Sequence, residues 1–116
     1  MIHAKIMKKN KKNPFNLYEK FTNPKQLKVA ENIQRLRLQV LVHSCLYYNM
    51  NTNIISDKEW DKLAKELVRL QEKYPKTSAE VVFNKAFKDF DGSTGFDLPL
   101  NHSWVKRKAQ QLYGLK

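Results

Sequence analysis

Two stretches of helical periodicity separated by a short asparagine-rich segment constrain the fold of this chain more than any other feature. Over residues 25–49 apolar side chains recur every three or four positions, and the same spacing returns over residues 57–74. Such spacing places the apolar side chains on one face of an α-helix. The intervening residues 49–53 favour a turn. We therefore predict an all-α domain built on a central antiparallel helical hairpin.

Local signals mark where the helices begin and end. Ser56-Asp57-Lys58-Glu59 matches a capping box at the start of the second helix. Pro24 stands near the start of the first helix, where proline is tolerated, and Pro75 stops the second. Two further short helices are predicted over residues 79–90 and 103–113. We expect a basic N-terminal arm over residues 1–24 and one helical domain over residues 25–116.

Positive charge is concentrated at one end of the chain. The 116 residues carry a formal charge of +11, and residues 1–30 hold eight lysines against one glutamate, a net charge of +7. A basic arm of this kind binds nucleic acid phosphates or an acidic protein face, or else is a solvated tail. The residues predicted to make such contacts are Lys8, Lys9, Lys11, Lys12, Lys106, Arg107 and Lys108.

Composition narrows the class of protein. Cys45 is the only cysteine, so an internal disulfide is excluded and a reducing cytoplasm is expected. No apolar run approaches the roughly 18 residues of a membrane span, and the N-terminus lacks the apolar region of a secretory signal. His3, His43 and His102 lack metal-ligand spacing, so we expect no metal and no membrane contact. The sequence does not indicate the oligomeric state.

The segment from Leu36 to Leu70 resembles the small N-terminal helical domain, domain Ia, of NAD-dependent DNA ligases. That family has a histidine, then a tyrosine pair or Tyr-His, and about eight residues later the run Ile-Ser-Asp-x-Glu-Tyr-Asp-x-Leu. This chain has His43, Tyr47-Tyr48 and Ile55-Ser56-Asp57-Lys58-Glu59-Trp60-Asp61-Lys62-Leu63 at matching spacing. The resemblance covers about a third of the chain, and the motif is moderately specific because several positions must agree at once.

The resemblance implies a site for NAD or for its nicotinamide mononucleotide half. Carried over by position, the contacts are Tyr47, Tyr48, Asp57, Trp60 and Asp61. The residue types suit this ligand, because nicotinamide in the nucleotide is a cationic ring that an aromatic face attracts. Carboxylates accept hydrogen bonds from ribose hydroxyls. Asp57, Trp60 and Asp61 stand at i, i+3 and i+4, which places them on one face of a helix.

The chain departs from the family pattern at several positions. Trp60 replaces a tyrosine, and Asn53 stands where a proline is usual. A ligase takes the adenylate on the lysine of Lys-x-Asp-Gly, whereas Lys88 lies one residue too far from Asp91-Gly92, with too few residues after it for a catalytic domain. We therefore expect a protein that is not an enzyme and that binds the nucleotide without turning it over.

Two functions follow from these observations as hypotheses. The first is a stand-alone, non-catalytic ligase Ia-like domain that binds nicotinamide mononucleotide, NAD or a related nucleotide. Small relatives of this kind occur in phage and prophage genomes, so the resemblance implies such an origin and a bacterial host cytoplasm. The alternative is a phage interaction or inhibitor protein that uses the same fold as a scaffold to bind nucleic acid or a host DNA-processing or defence enzyme.

Several residues have a structural interpretation beside the functional one. Tyr47 and Trp60 could be core aromatics, and Asp61 could pair with Lys65 at i, i+4. We interpret His43 as a buried, hydrogen-bonded histidine. The glycine-bearing run Asp91–Pro99 has no Lys-Ser/Thr after it, so it is interpreted as a connecting turn or a surface contact loop and not as a phosphate-binding loop.

Overall fold

The prediction of an all-α domain is confirmed. The computed structural model describes residues 13–115, and within them every regular element is a helix. In chain order these are α1 (Pro24–Asn49), α2 (Asp57–Lys73), α3 (Pro75–Ala79), α4 (Asn84–Phe87) and α5 (Ser103–Gly114).

The helical hairpin has the predicted limits to within a residue, and both of its helices begin at a capped N-terminus. The Oδ1 atom of Asn23 accepts from the backbone amides of Lys25 and Gln26 at the start of α1. At the start of α2, the Ser56 hydroxyl accepts from the Glu59 amide while the Glu59 carboxylate accepts from the Ser56 amide. These bonds satisfy amides that have no partner within the helix. The two helices pack together after the short turn that joins them.

Helix α1 is the central element because it packs against α2 on one side and α5 on another. Its buried apolar residues include Ile33, Leu36 and Val40, which recur at helical spacing. Each such side chain contributes about 1.5–3 kcal/mol when it leaves water. The core therefore fixes the position of the C-terminal end of α1, where the predicted site residues begin.

Residues 13–23 pack against this core. Leu17 and Phe21 are buried, and the ring of Phe15 lies 5.2 Å from the ring of Trp104 on α5. The proposed division between an arm at residues 1–24 and a domain at residues 25–116 stays a prediction.

The prediction of one helix over residues 79–90 is wrong, and Arg37 gives the physical reason. Its guanidinium is buried and donates to the backbone carbonyls of Ser78, Val81 and Val82. In a continuous helix such carbonyls would accept from amides four residues later. Phe83 adopts a left-handed conformation with φ of 68° directly before α4, so the helical path ends and restarts there.

Among residues 13–115, no helix has both the length and the apolar character needed to span a bilayer.

Candidate functional site

A cavity of about 250 Å³ lies at the corner of the hairpin. It is bounded by the last turns of α1, the connecting segment, the first turn of α2 and the loop that follows α4. The structure places all five of the predicted nucleotide contacts on its walls: Tyr47, Tyr48, Asp57, Trp60 and Asp61. Their convergence follows from the hairpin, because the turn brings the end of α1 beside the start of α2.

The two carboxylates of the cavity are accessible and unpaired. Asp57 and Asp61 are both exposed and stand one helical turn apart at the start of α2. The expected alternative pairing of Asp61 with Lys65 is not formed, since the one ion pair among the described residues joins Arg69 and Glu66. Both carboxylates are therefore available to a ligand.

The aromatic side chains make the wall of the cavity partly rigid. Trp60 is half-buried, its indole Nε1 donates to the Ser44 hydroxyl at 3.1 Å, and its ring meets the ring of Phe90 edge-on. Tyr47 and Tyr48 contact each other at 4.9 Å between ring centroids with nearly perpendicular planes. Tyr47 is 54% exposed, so its role as a core aromatic is excluded. Trp60 therefore both packs within the hairpin and lines the cavity.

His43 also lines the cavity, and its role differs from the prediction. Its Nδ1 atom is buried and has no hydrogen-bond partner, whereas a hydrogen-bonded histidine was expected. Burial lowers the pKa of His43 below its ordinary value, although the Glu59 carboxylate opposes this effect. The imidazole therefore adds no positive charge to the cavity at neutral pH.

A third wall of the cavity was not anticipated as part of the site. Ser93, Thr94 and Gly95, from the run interpreted as a turn or surface loop, line the cavity opposite the hairpin. The Thr94 hydroxyl lies 2.9 Å from the hydroxyl of Tyr48. The signal in the sequence was the pair of glycines around two hydroxyl residues, which permits close approach of the loop to a neighbour.

Three of the seven predicted basic contacts lie apart from the cavity. Lys106, Arg107 and Lys108 are exposed on α5, and the Lys108 ammonium lies 5.8 Å from the centre of the Trp104 ring. The other four, Lys8, Lys9, Lys11 and Lys12, fall outside the described residues. Contact of these seven residues with nucleic acid or a protein partner stays a prediction.

Within the described range, no group of three His, Cys, Asp or Glu side chains could hold a metal ion. The chemistry available at the cavity is thus that of aromatic faces, two carboxylates, hydroxyls and a neutral imidazole. Such a set can bind a flat cationic group attached to a sugar.

Comparison with known proteins gives one family. Residues 26–80 match the DNA ligase-like, N-terminal NAD+-binding domain. This range contains the hairpin and all five predicted contacts, and it ends before the loop that carries Thr94. The resemblance expected from the sequence is thereby confirmed.

Several curated relatives are DNA ligases. The DNA ligase of Fervidobacterium nodosum is 42% identical over 48 residues, which is 41% of this chain and 7% of the ligase. That of Petrotoga mobilis is 46% identical over 52 residues, 45% of this chain and 8% of the ligase. That of Bacteroides fragilis is 36% identical over 87 residues, 72% of this chain and 12% of the ligase. The chain thus spans about a tenth of these relatives. No solved structure matches the chain significantly.

Proposed function

Because residues 26–80 are similar to the N-terminal NAD+-binding domain of DNA ligases, we propose that the cavity at the hairpin corner binds nicotinamide mononucleotide or the corresponding half of NAD. The observation that carries the proposal is the pair of unpaired carboxylates, Asp57 and Asp61, on an aromatic cavity in a chain of formal charge +11. The cationic ring of the ligand is attracted by this local negative charge, and its phosphate is compatible with the positive charge of the chain.

The aromatic residues and the carboxylates of the cavity would contact different parts of such a ligand. The rings of Tyr47, Tyr48 and Trp60 offer π-faces to the cationic nicotinamide. The carboxylates of Asp57 and Asp61 accept from the ribose hydroxyls and offset the charge of the ring. The volume of about 250 Å³ lies just below the roughly 300–1,000 Å³ of most ligand pockets, which suits the mononucleotide half of NAD better than the whole dinucleotide.

We also propose that the chain binds its ligand without turning it over, and that it is a stand-alone domain of phage or prophage origin. The spacing of Lys88 from Asp91-Gly92 supports the first part, because the adenylate-accepting lysine of a ligase stands one residue closer to its Asp-Gly. Mass spectrometry after incubation with NAD tests it. We expect the mass of the chain and the NAD to be unchanged, and an adenylated chain would contradict the proposal.

Calorimetric titration with nicotinamide mononucleotide and with NAD tests the binding proposal. We expect saturable binding of both ligands, and about tenfold weaker binding to Asp61→Asn, because a hydrogen bond to a charged group contributes about 1.5–3 kcal/mol. Glu72→Gln is the matched control, since Glu72 is an exposed carboxylate on the same helix away from the cavity. Absence of heat at millimolar concentrations of both ligands would overturn the proposal.

A further inference from the structure

The loop between α4 and α5 reaches the hairpin corner through four residues, Ser93–Phe96, which we call the latch. The latch is preformed by its own turn, because the carboxylate of Asp91 accepts from both the amide and the hydroxyl of Ser93. The Thr94 hydroxyl oxygen accepts from the Phe96 amide at 3.1 Å. These local bonds give the loop a defined shape before any ligand is present.

The latch contacts the hairpin at two points. At the first, the hydroxyls of Thr94 and Tyr48 are 2.9 Å apart, and the Phe96 ring meets the Tyr48 ring edge-on at 5.3 Å between centroids. Tyr48 is 40% exposed at the end of α1, so these contacts restrict a side chain that otherwise has solvent on much of its surface. The direction of the Tyr48 ring at the cavity wall is thus set by residues of the latch.

At the second point, Gly95 lies directly against Ser44 of α1. A Cβ atom added at Gly95 would stand 2.8 Å from the Ser44 Cβ and closer still to the Ser44 hydroxyl. Real side chains do not approach this closely, so any larger residue must push the latch away from α1. Ser44 also holds the Trp60 indole. The absence of a side chain at Gly95 therefore lets the latch close against the same residue that anchors the cavity wall.

We propose that the latch completes the nucleotide pocket, and that Thr94 is a positioning residue which raises affinity for the mononucleotide by holding the Tyr48 ring at the cavity. This inference rests on the proposed function and adds to the matched region a wall that lies beyond residue 80. Its physical basis is pre-organisation, because a ring already held in place loses less rotamer freedom when the ligand binds.

Titration of nicotinamide mononucleotide into the wild type and a set of variants tests the inference. We expect Thr94→Val, which keeps the shape but removes the hydroxyl, to weaken binding by about fivefold. Thr94→Ser keeps the hydroxyl and should restore affinity close to that of the wild type. In a Tyr48→Phe background, which lacks the partner hydroxyl, Thr94→Val should weaken binding by a smaller factor, because only the acceptor for the Phe96 amide is then lost. Thr22→Val, an exposed position outside the cavity, is the matched control and should not change binding.

The outcomes separate this inference from the proposed function. If the wild type does not bind the mononucleotide, the proposed function and the latch inference are both overturned. If the wild type binds and Thr94→Val binds equally well, or Thr94→Val weakens binding by the same factor with and without the Tyr48 hydroxyl, the latch inference alone is overturned. Thermal melting of each variant shows whether a loss of binding reflects a loss of folding. Gly95→Ala provides a second route, since displacement of the latch should weaken binding in a chain that still melts cooperatively.

Discussion

The indole Nε1 of Trp60 donates a hydrogen bond to the hydroxyl of Ser44 at 3.1 Å, which joins the two helices of the hairpin across the candidate site. Ser44 is buried on α1, and Trp60 lies on the first turn of α2. In the related ligase pattern a tyrosine stands at the position of Trp60. The Trp60 indole contributes both to the packing of the hairpin and to the wall of the cavity.

We expect the bond between Trp60 and Ser44 to stabilise the fold by about 1 kcal/mol. Ser44→Ala should lower the free energy of unfolding by about 1–3 kcal/mol, because it leaves the indole N–H without a partner in a partly buried position. Trp60→Phe should lower it through the same bond and through lost ring area. A double-mutant cycle measured by urea unfolding gives the coupling, which we expect to be about 0.5–1.5 kcal/mol. Strictly additive effects of the two substitutions would contradict this assignment.

Arg37 should be among the most costly residues to replace. Its side chain is 1% exposed and donates to three backbone carbonyls, to the Ser78 hydroxyl and to the side chain of Gln71. Burial lowers the pKa of Arg37 to about 10, so it stays charged at neutral pH. Arg37→Met should cost about 3 kcal/mol of unfolding free energy, because the buried carbonyls lose their donors.

The matched control for Arg37 is two residues away on the same helix. Arg35 is exposed and donates to Gln39 only. Arg35→Met should change the unfolding free energy by less than about 0.5 kcal/mol. Equal effects of the two substitutions in chemical denaturation would show that the buried hydrogen bonds of Arg37 do not stabilise the fold.

The hairpin and the convergence of the five candidate residues at its corner could be predicted from the sequence because both depend on short-range relations. The capping box at Ser56 and the spacing of Asp57, Trp60 and Asp61 depend only on neighbouring residues. Because the turn between the helices is short, the second helix packs on the first. The five predicted contacts consequently line one cavity.

The features that the sequence did not reveal depend on contacts between distant residues. The apolar spacing of residues 82–90 is helical, yet Arg37, more than 40 residues earlier, takes the carbonyls that a continuous helix would use. The latch reaches the cavity only because Gly95 fits against Ser44, a relation that neither residue indicates alone. In both cases tertiary contacts override local pattern.

The N-cap of α1 should affect stability without affecting ligand binding. Asn23 accepts from the amides of Lys25 and Gln26 at the end of α1 opposite the cavity. Asn23→Ala should lower the free energy of unfolding by about 1 kcal/mol. Asn23→Ser, which retains a capping oxygen, should recover most of the loss. Thermal or urea unfolding together with ligand titration checks this, and a weakened affinity in a folded Asn23→Ala chain would contradict it.

His43 should make stability fall as the pH is lowered below neutrality. Burial lowers its pKa in the folded chain, with Glu59 opposing, so in the window from that lowered pKa up to about 6.5 the unfolded chain binds more protons. The free energy of unfolding then rises with pH through this window. Above the window His43 is neutral in both the folded and the unfolded chain and has no further effect on stability.

The measurement is the urea midpoint of the wild type and of His43→Gln at pH 7.5 and pH 5.5. We expect the midpoint of the wild type to fall more than that of the variant, because glutamine has no proton to gain. Binding of nicotinamide mononucleotide should weaken over the same interval in the wild type alone, since protonated His43 repels its cationic ring inside the cavity. An identical pH dependence of stability in both chains would show that the buried imidazole does not govern it.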